Sequence, residues 1–190
     1  RRRRPPRSHA DVEVRAPAWP GGVGRVILEE VDSTNAEAER RASSGERGPL
    51  WIMARRQTAG RGRLGRGWAA PEGNFCATFL FAPGLAPGEA ALMSFTAALA
   101  VAELATGAGV PADAVRLKWP NDVLIAGRKA AGILLASSGA GQRVDWLAIG
   151  IGVNLAAAPG ADAIRPGGRP PTALAEHGAG ENARLVDRVR

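Results

Sequence analysis

Short apolar runs separated by turn residues make up most of the chain and predict a β-sheet. The runs that predict strands are residues 25–31, 50–54, 74–81, 115–119, 123–125, 130–137 and 144–151. The later runs follow one another through connections of only a few residues, and strands joined in that way are antiparallel. A chain of 190 residues is long enough for one such domain with a buried core.

Three segments outside these runs carry a helical pattern of varying strength. Thr34 and Glu37 match a capping box at the start of an alanine-rich helix over residues 36–42. Residues 89–106 give the strongest helix prediction, because alanine favours helices and apolar residues share one side. The residues on that side are Leu92, Phe95, Leu99 and Ala102. Residues 172–190 predict a marginal helix, so we expect an α/β fold of the α+β type, with a mixed, mostly antiparallel sheet flanked by helices.

The positive charge of the chain is concentrated partly at its N-terminus. The net charge is +7, and five of the positive charges are Arg1 to Arg4 and Arg7, in a run that contains prolines. Removing these five from the +7 leaves +2, an ordinary charge for a soluble enzyme, so the basicity is weak evidence for nucleic-acid binding. We expect residues 1–22 to be a disordered basic tail and residues 23–190 to form the folded domain.

Composition also bears on where the protein works. No stretch approaches the roughly 18 apolar residues of a membrane span. The basic N-terminus is followed by prolines and not by an apolar core, which is unlike a secretory signal. Cys76 is the single cysteine and cannot form an internal disulfide. We therefore expect a reducing, cytoplasmic location without membrane contact.

A loop of alternating glycine and arginine, residues 60–68, is the first segment that suggests chemistry. Its glycines let the backbone approach a ligand closely and adopt positive φ angles. Its arginines, Arg61, Arg63 and Arg66, supply charge-assisted hydrogen bonds to carboxylate and phosphate oxygens. Trp68 closes the loop and offers a flat face for a base. So many glycines make the loop costly to order, and we expect it to be mobile when empty and to close over a ligand.

Other interpretations of this loop differ in strength. The segment Gly60–Gly65 matches the G-x-G-x-x-G dinucleotide fingerprint, but that motif needs a helix to follow, and Gly67 and Pro71 forbid one. No Gly-Lys-Ser/Thr closes the loop, so it is not a phosphate-binding Walker loop. An RG-rich nucleic-acid segment and a plain solvated basic loop remain open, although RG segments usually lie in tails and this loop lies between two apolar strands.

Lysine is rare in this chain and occurs only in a second cluster of candidate residues. Of the 25 basic residues, only Lys118 and Lys129 are lysines. They lie in the segments Lys-Trp-Pro-Asn-Asp over 118–122 and Arg-Lys-Ala-Ala-Gly-Ile-Leu over 128–134. A lysine ammonium is a compact point charge, which the planar arginine fork cannot replace. With the glycine–arginine loop, this cluster suggests an enzyme that holds a carboxylate against a nucleotide phosphate.

These motifs occur together in the order found in biotin protein ligases, and the chain resembles that family over about residues 25–155. The matching segments are 32–35 (Asp-Ser-Thr-Asn), 60–68, 118–122, 128–134 and 149–154. The resemblance implies the catalytic fold shared with class II aminoacyl-tRNA synthetases. It also implies a two-step reaction, in which biotin and MgATP give biotinyl-5′-AMP, and the biotinyl group then passes to a lysine of a biotin carboxyl carrier domain.

The resemblance further implies roles for individual residues. The catalytic residues would be Lys129, Arg61, Arg63 and Asp122. The biotin-binding residues would be Ser33, Thr34, Asn35, Gln57, Gly60, Arg61, Gly62, Arg63, Lys129 and Gly132. The residues that bind ATP or the adenylate would be Arg61, Arg63, Arg66, Trp68, Lys118, Asn121 and Asn154. No Cys/His cluster suggests zinc, and we expect Mg²⁺ to arrive with ATP without a tightly bound metal.

Some features depart from the family pattern, and other functions compete. About 24 residues precede the first strand, too few for the helix-turn-helix of bifunctional members, so we expect a monofunctional chain without a DNA role. We expect the small C-terminal β-barrel of the family to be missing or truncated. A lipoate or octanoate ligase of the same fold is the nearest rival. A non-enzymatic adenylate sensor and an RG-type RNA-binding module belong to other classes. We expect a monomer or a weak homodimer.

Overall fold

The predicted strands form one sheet in the computed structural model, which describes residues 19–139, 141–160 and 168–179. The strands are β1 (Gly24–Val31), β2 (Leu50–Gln57), β3 (Phe75–Phe81), β4 (Val115–Lys118), β5 (Asp122–Ile125), β6 (Arg128–Ser138) and β7 (Trp146–Val153). The helices are α1 (Thr34–Ser43) and α2 (Pro87–Gly107). Of the tail predicted over residues 1–22, residues 1–18 lie outside the described residues. So do residues 180–190 of the marginal helix, whose described part forms only a 3₁₀ turn, Leu174–His177.

The order of the strands across the sheet is β1-β2-β3-β7-β6-β5-β4. Only β1 and β2 are parallel, and α1 forms the crossover between them. All other neighbours are antiparallel, including the β5–β6 and β6–β7 pairs, whose short connections predicted this arrangement. The expectation of a mixed, mostly antiparallel sheet flanked by helices is therefore confirmed.

The two helices cover opposite faces of the sheet. Ala38 and Ala42 of α1 pack against Ile52, Leu80 and Ala148. The residues on either side of Ala148, which point to the other face, belong to the core beneath α2. Each face of the sheet thus has its own apolar cluster. On the face that α1 covers, the part of the sheet beyond the N-terminus of α1 is left uncovered by the helix.

The apolar row predicted for α2 is not the side that packs against the sheet. Leu92 is 58% exposed and Leu99 is 54% exposed. The buried side consists mainly of small residues, namely Ala90, Ser94, Ala97, Ala98, Val101 and Ala105. Small side chains let the helix approach the sheet closely, so burial follows residue size here and not hydrophobicity alone.

The length and composition of α2 also correct an expectation. The helix has 21 residues with a mean hydropathy of 1.5, which is long and apolar enough for a membrane span. The expectation that no stretch of the chain approaches a membrane span is therefore wrong for α2, by length and composition alone. In the fold, the alanine side of α2 is part of the core of the domain.

The start of α1 differs from the predicted capping box. The N-cap residue is Ser33, one residue earlier than expected, and no side chain caps the helix. The Thr34 hydroxyl lies 3.1 Å from Gln57 Oε1, and Glu37 pairs with Arg40 and Arg41. Of the two side chains that suggested the capping box, Thr34 therefore makes a tertiary contact with β2, and Glu37 forms ion pairs within its own helix.

A tight turn at Ala126 and Gly127 joins β5 to β6. Their φ angles are 48° and 75°, which correspond to a type I′ turn. Gly127 adopts this conformation without strain, but alanine rarely does, because its Cβ approaches the following carbonyl oxygen. The turn therefore carries local strain at one exposed residue.

We expect Ala126→Asn to stabilise the domain by about 1 kcal/mol, because asparagine tolerates the left-handed region and is favoured in type I′ turns. The measurement is the midpoint of urea unfolding with an unchanged slope. Ala82→Asn, at an exposed residue outside the left-handed region, is the matched control and should have a much smaller effect. Equal effects of the two substitutions would contradict the account of strain.

Candidate active site

A cavity of about 310 Å³ opens where the N-terminus of α1, the glycine–arginine loop and strands β5 to β7 meet. It contains most of the site residues predicted from the sequence. Those that line it are Ser33, Thr34, Asn35, Gln57, Arg61, Gly62, Arg63, Arg66, Trp68, Lys118, Asn121, Asp122, Lys129 and Gly132. Gly60 and Asn154 do not line it. Segments separated by about a hundred residues in sequence therefore converge on one site.

Three glycines on adjacent strands form the floor of the cavity. Gly132 of β6 pairs with Gly152 of β7, and Gly150 lies on the same face two residues before Gly152. A Cβ atom on Gly152 would lie 2.5 Å from Trp68 Cε2, and one on Gly150 would collide with the Asn35 side chain. The roles of Gly150 and Gly152 were missed at the sequence level. Glycines at alternate positions of a strand were the available signal, since they mark a close approach.

Trp68 lies across this floor and connects it with the catalytic lysine candidate. The Lys129 Nζ atom lies 5.5 Å from the centre of the Trp68 ring. The loop closes on itself, because the Trp68 N–H donates to the Gly60 carbonyl over 2.8 Å. Gly60 thus shapes the loop without reaching the cavity, since a side chain there would collide with the Trp68 carbonyl.

Both lysines of the chain bind the same carboxylate. Lys129 Nζ lies 2.7 Å from Asp122 Oδ1, and Lys118 Nζ lies 3.3 Å from Asp122 Oδ2. The Asp122 side chain is 13% exposed, whereas Lys129 and Lys118 are 31% and 46% exposed. The lysines are therefore held by a largely buried anion while their ammonium groups stay accessible from the cavity.

The charge of the cavity lining is strongly positive. Among the described residues that line it, five side chains are cationic and one is a carboxylate. The cationic residues are Arg61, Arg63, Arg66, Lys118 and Lys129, and the carboxylate is Asp122. Such an excess attracts anions and offsets the repulsion between two anionic groups bound side by side.

The arginines of the loop have weak protein partners. Arg61 Nη1 lies 3.5 Å from Glu39 Oε2, and Arg63 Nη1 lies 3.4 Å from Asn121 Oδ1. All of these contacts are exposed to solvent, and exposed pairs of this kind contribute little to stability. The guanidinium groups are therefore free to exchange these partners for a bound anion.

The opposite part of the site is polar but largely uncharged. The Thr34 backbone N–H donates to Gln57 Oε1 over 2.8 Å. Thr78 lies beneath this group, with its hydroxyl 2.9 Å from Thr34 Oγ1 and 2.7 Å from Asn35 Oδ1. The sequence analysis missed Thr78, although a single hydroxyl within the apolar strand Phe75–Phe81 was a usable signal.

Asp32 braces the entry to this polar end. Its carboxylate accepts hydrogen bonds from Arg40 over 2.7 Å and 2.9 Å, and from the Ser33 backbone N–H over 2.7 Å. The hydrogen bonds with Arg40 hold the pKa of Asp32 well below its usual range, and the Ser33 N–H acts in the same direction. Asp32 therefore remains charged and fixes the backbone where α1 begins.

Cys76 is an uncharged part of the cavity wall. Burial raises the pKa of its thiol to about 11, although a hydrogen bond with Trp68 opposes the shift. At neutral pH the side chain is therefore a thiol and not the nucleophilic thiolate. Its place in the wall is that of a small apolar residue.

Asn154 anchors the C-terminal segment behind the site. Its Nδ2 donates to the Thr172 carbonyl over 3.0 Å, and the Thr172 N–H donates to the Lys129 carbonyl over 2.9 Å. The side chain is buried, and its Oδ1 has no hydrogen-bond partner among the described residues. The described structure thus brings Asn154 next to the backbone of the Lys129 strand, and not into the cavity.

The packing of Trp68 on the floor gives a direct test. We expect Gly152→Ala to cost about 1–3 kcal/mol of unfolding free energy, because the new methyl group collides with the Trp68 ring. In a Trp68→Ala background the same change should cost much less, which a double-mutant cycle of unfolding measures. Gly141→Ala, where a Cβ meets nothing within 4 Å, is the control. The same cost in both backgrounds would show that Trp68 does not lie on the floor.

Both the sequence and the fold of this chain are similar to those of known proteins. The family model of the Biotin/lipoate A/B protein ligase family matches residues 27–154. The chain is 49% identical over 161 residues to a biotin–acetyl-CoA-carboxylase ligase of Paracoccus denitrificans, covering 85% of this chain and 65% of that protein. The chain therefore spans less than two thirds of the length of that relative.

Solved structures show the same likeness. The biotin protein ligase of Leishmania major in complex with biotin has a TM-score of 0.66 and 30% identity, covering 90% of this chain and 72% of that one. The biotin protein ligase of Aquifex aeolicus in complex with biotin and ATP has a TM-score of 0.62 and 29% identity, covering 87% of this chain and 67% of that one.

Proposed function

We propose that this chain, which belongs to the biotin/lipoate A/B protein ligase family, activates biotin with ATP and transfers it to a protein lysine. The product of activation is biotinyl-5′-AMP, and the acceptor is a lysine of a biotin carboxyl carrier domain. The observation that carries the proposal is the pairing of Asp122 with Lys118 and Lys129 beside the arginine loop. The likeness to ligases solved with biotin and ATP supports the choice of substrates.

In the first step, a carboxylate oxygen of biotin attacks the α-phosphorus of ATP, and pyrophosphate leaves. Two anions have to approach each other, so catalysis consists mainly of positioning and of neutralising charge. Lys129, Arg61 and Arg63 provide the positive charge in the cavity lining. Mg²⁺ enters with the polyphosphate of ATP, as a part of that substrate.

In the second step, the amine of the acceptor lysine attacks the acyl carbon of the adenylate, and AMP leaves. The amine has to be neutral to attack, so a proton must be removed from it. Asp122 is the one carboxylate among the described residues of the cavity lining. It is therefore the candidate to orient the amine and to take its proton. In doing so it would give up its contact with one of its two lysine partners.

The polar end of the site favours biotin over lipoate. Biotin carries a cyclic urea, which has two N–H donors and a carbonyl acceptor, whereas the dithiolane ring of lipoate has none of these groups. A ring without hydrogen-bonding groups would leave polar atoms of Thr34 and Gln57 unpaired in the cavity lining, at a cost of about 1–3 kcal/mol for each. A urea ring satisfies them, and biotin is for this reason the proposed acid.

The remaining parts of the proposal concern the setting of the reaction. Cys76 is the single cysteine and forms part of the cavity wall as a thiol, which fits a reducing cytoplasm. Neither step uses a nucleic acid or a membrane. The glycine–arginine loop is folded back between Gly60 and Trp68, unlike an RG tail that would bind RNA. The domain is proposed to act as a monomer or a weak homodimer.

We expect Lys129→Ala to slow adenylate formation by about 10²- to 10³-fold, because it removes the ammonium group nearest to Asp122 and Trp68. The measurement is biotin-dependent exchange of labelled pyrophosphate into ATP. Arg47→Ala is the control and should keep its rate. It removes an exposed cation whose hydrogen bonds, among the described residues, go to the carbonyl groups of Ala42 and Glu46. A near-normal rate in Lys129→Ala would remove this residue from the catalytic group.

Asp122→Asn should slow transfer more than adenylate formation, because only transfer needs a proton acceptor. Single-turnover experiments, with and without a biotin carboxyl carrier domain, separate the two steps. Equal slowing of both steps would assign Asp122 to the placement of the two lysines alone.

A further inference from the structure

We propose that Thr78 is a positioning residue that fixes the hydrogen-bond polarity of the urea-binding end of the cavity. The inference rests on the proposed function and extends it to a residue that does not line the cavity. Thr78 lies in the middle of β3, opposite Gly150 of β7, and is completely buried. Its hydroxyl is the one side-chain group that reaches both Thr34 and Asn35 in the described structure.

The orientation of the Asn35 amide sets the direction of these hydrogen bonds. Its Nδ2 donates to the Leu134 carbonyl over 3.3 Å, so its Oδ1 is directed towards Thr78. Asn35 is 3% exposed, and a buried carbonyl oxygen needs a donor. The Thr78 hydroxyl, 2.7 Å away, is the donor that the structure supplies.

A hydroxyl group has one proton, and this fixes the next hydrogen bond in the chain. Since Thr78 donates its proton to Asn35, it cannot also donate to Thr34. The Thr34 hydroxyl therefore has two acceptors for its own proton, Thr78 Oγ1 at 2.9 Å and Gln57 Oε1 at 3.1 Å. Thr34 Oγ1 is left with lone pairs and no proton to offer a ligand, so it acts as an acceptor in the cavity.

An acceptor at this place suits the N–H groups of a cyclic urea. Thr34 lines the cavity next to Gly150, and the Asn35 side chain packs directly on that glycine. If the Thr34 hydroxyl turned its proton towards the ligand, its O–H would face a urea N–H, and the hydrogen bond would be lost. Thr78 therefore contributes to the recognition of biotin through Thr34 and Asn35, without touching the ligand.

Substitution of Thr78 by valine removes the hydroxyl and keeps the shape of the side chain. It leaves Asn35 Oδ1 without its donor and removes the Thr78 oxygen as one of the two acceptors that hold the Thr34 proton. We expect the Kd for biotin and its KM to rise about 10- to 100-fold, the range of one lost hydrogen bond in a buried site. The kcat and the KM for ATP should change less than about threefold, because the cationic end of the cavity is untouched.

Two further variants separate positioning from packing. Thr78→Ser restores the hydroxyl and should return the biotin Kd to within about threefold of the original. Thr106→Val removes a hydroxyl whose hydrogen bonds, in the described part of the chain, go to α2 carbonyl groups on the other face of the sheet. It should leave the biotin Kd unchanged. Circular dichroism and thermal unfolding of each variant verify that it is folded at the assay temperature.

Calorimetric titration of the 190-residue chain with biotin is the primary measurement, and adenylate formation is the second. An unchanged biotin Kd in Thr78→Val overturns the inference, as does a Thr78→Ser variant that binds as weakly as Thr78→Val. Wild-type binding of biotin without adenylate formation overturns the proposed ligase activity but leaves the Thr78 result valid. No biotin binding by the folded wild-type chain overturns both.

Discussion

Asp122 holds the two lysines of this chain at one edge of the cavity, and the rest of the site is arranged around these ion pairs. The sheet makes the arrangement possible, because Lys118 pairs with Asp122 on one side of β5, and Lys129 lies on β6, the strand on the other side. Without the carboxylate, two ammonium groups and three guanidinium groups would face one another across the cavity. A bound carboxylate or phosphate would also reduce the repulsion between these cations.

The site has a cationic end and an uncharged polar end, which would recognise different groups of a ligand. Cations gather around Lys129, whereas Thr34 and its partners form an uncharged, hydrogen-bonded group at the start of α1. The glycine floor lies between them, and Trp68 covers the part at Gly152. An acid with a polar ring at one end and a carboxylate at the other suits this layout. The carboxylate of such an acid would lie at the cationic end, next to the phosphate of the nucleotide.

The sequence was sufficient for local features and insufficient for those set by packing between elements. Strand positions, the antiparallel connections, the class II synthetase-like fold and most lining residues followed from patterns and motifs. The sequence did not reveal that α2 packs through alanines and leaves Leu92 exposed, because hydrophobicity ranks leucine first. It also missed Gly150 and Thr78, whose roles arise only when β3 and β7 pair in register.

The most direct test of the proposed chemistry is formation of an acyl-adenylate from α-labelled ATP and Mg²⁺ by the 190-residue chain, with biotin and lipoate in parallel. The arrangement of cations and uncharged polar groups predicts a labelled adenylate that depends on biotin. It predicts little or none with lipoate, whose ring leaves the polar end unpaired. Formation of an adenylate with lipoate alone would contradict the assignment of this site to biotin activation. The absence of an adenylate with either acid would contradict it as well.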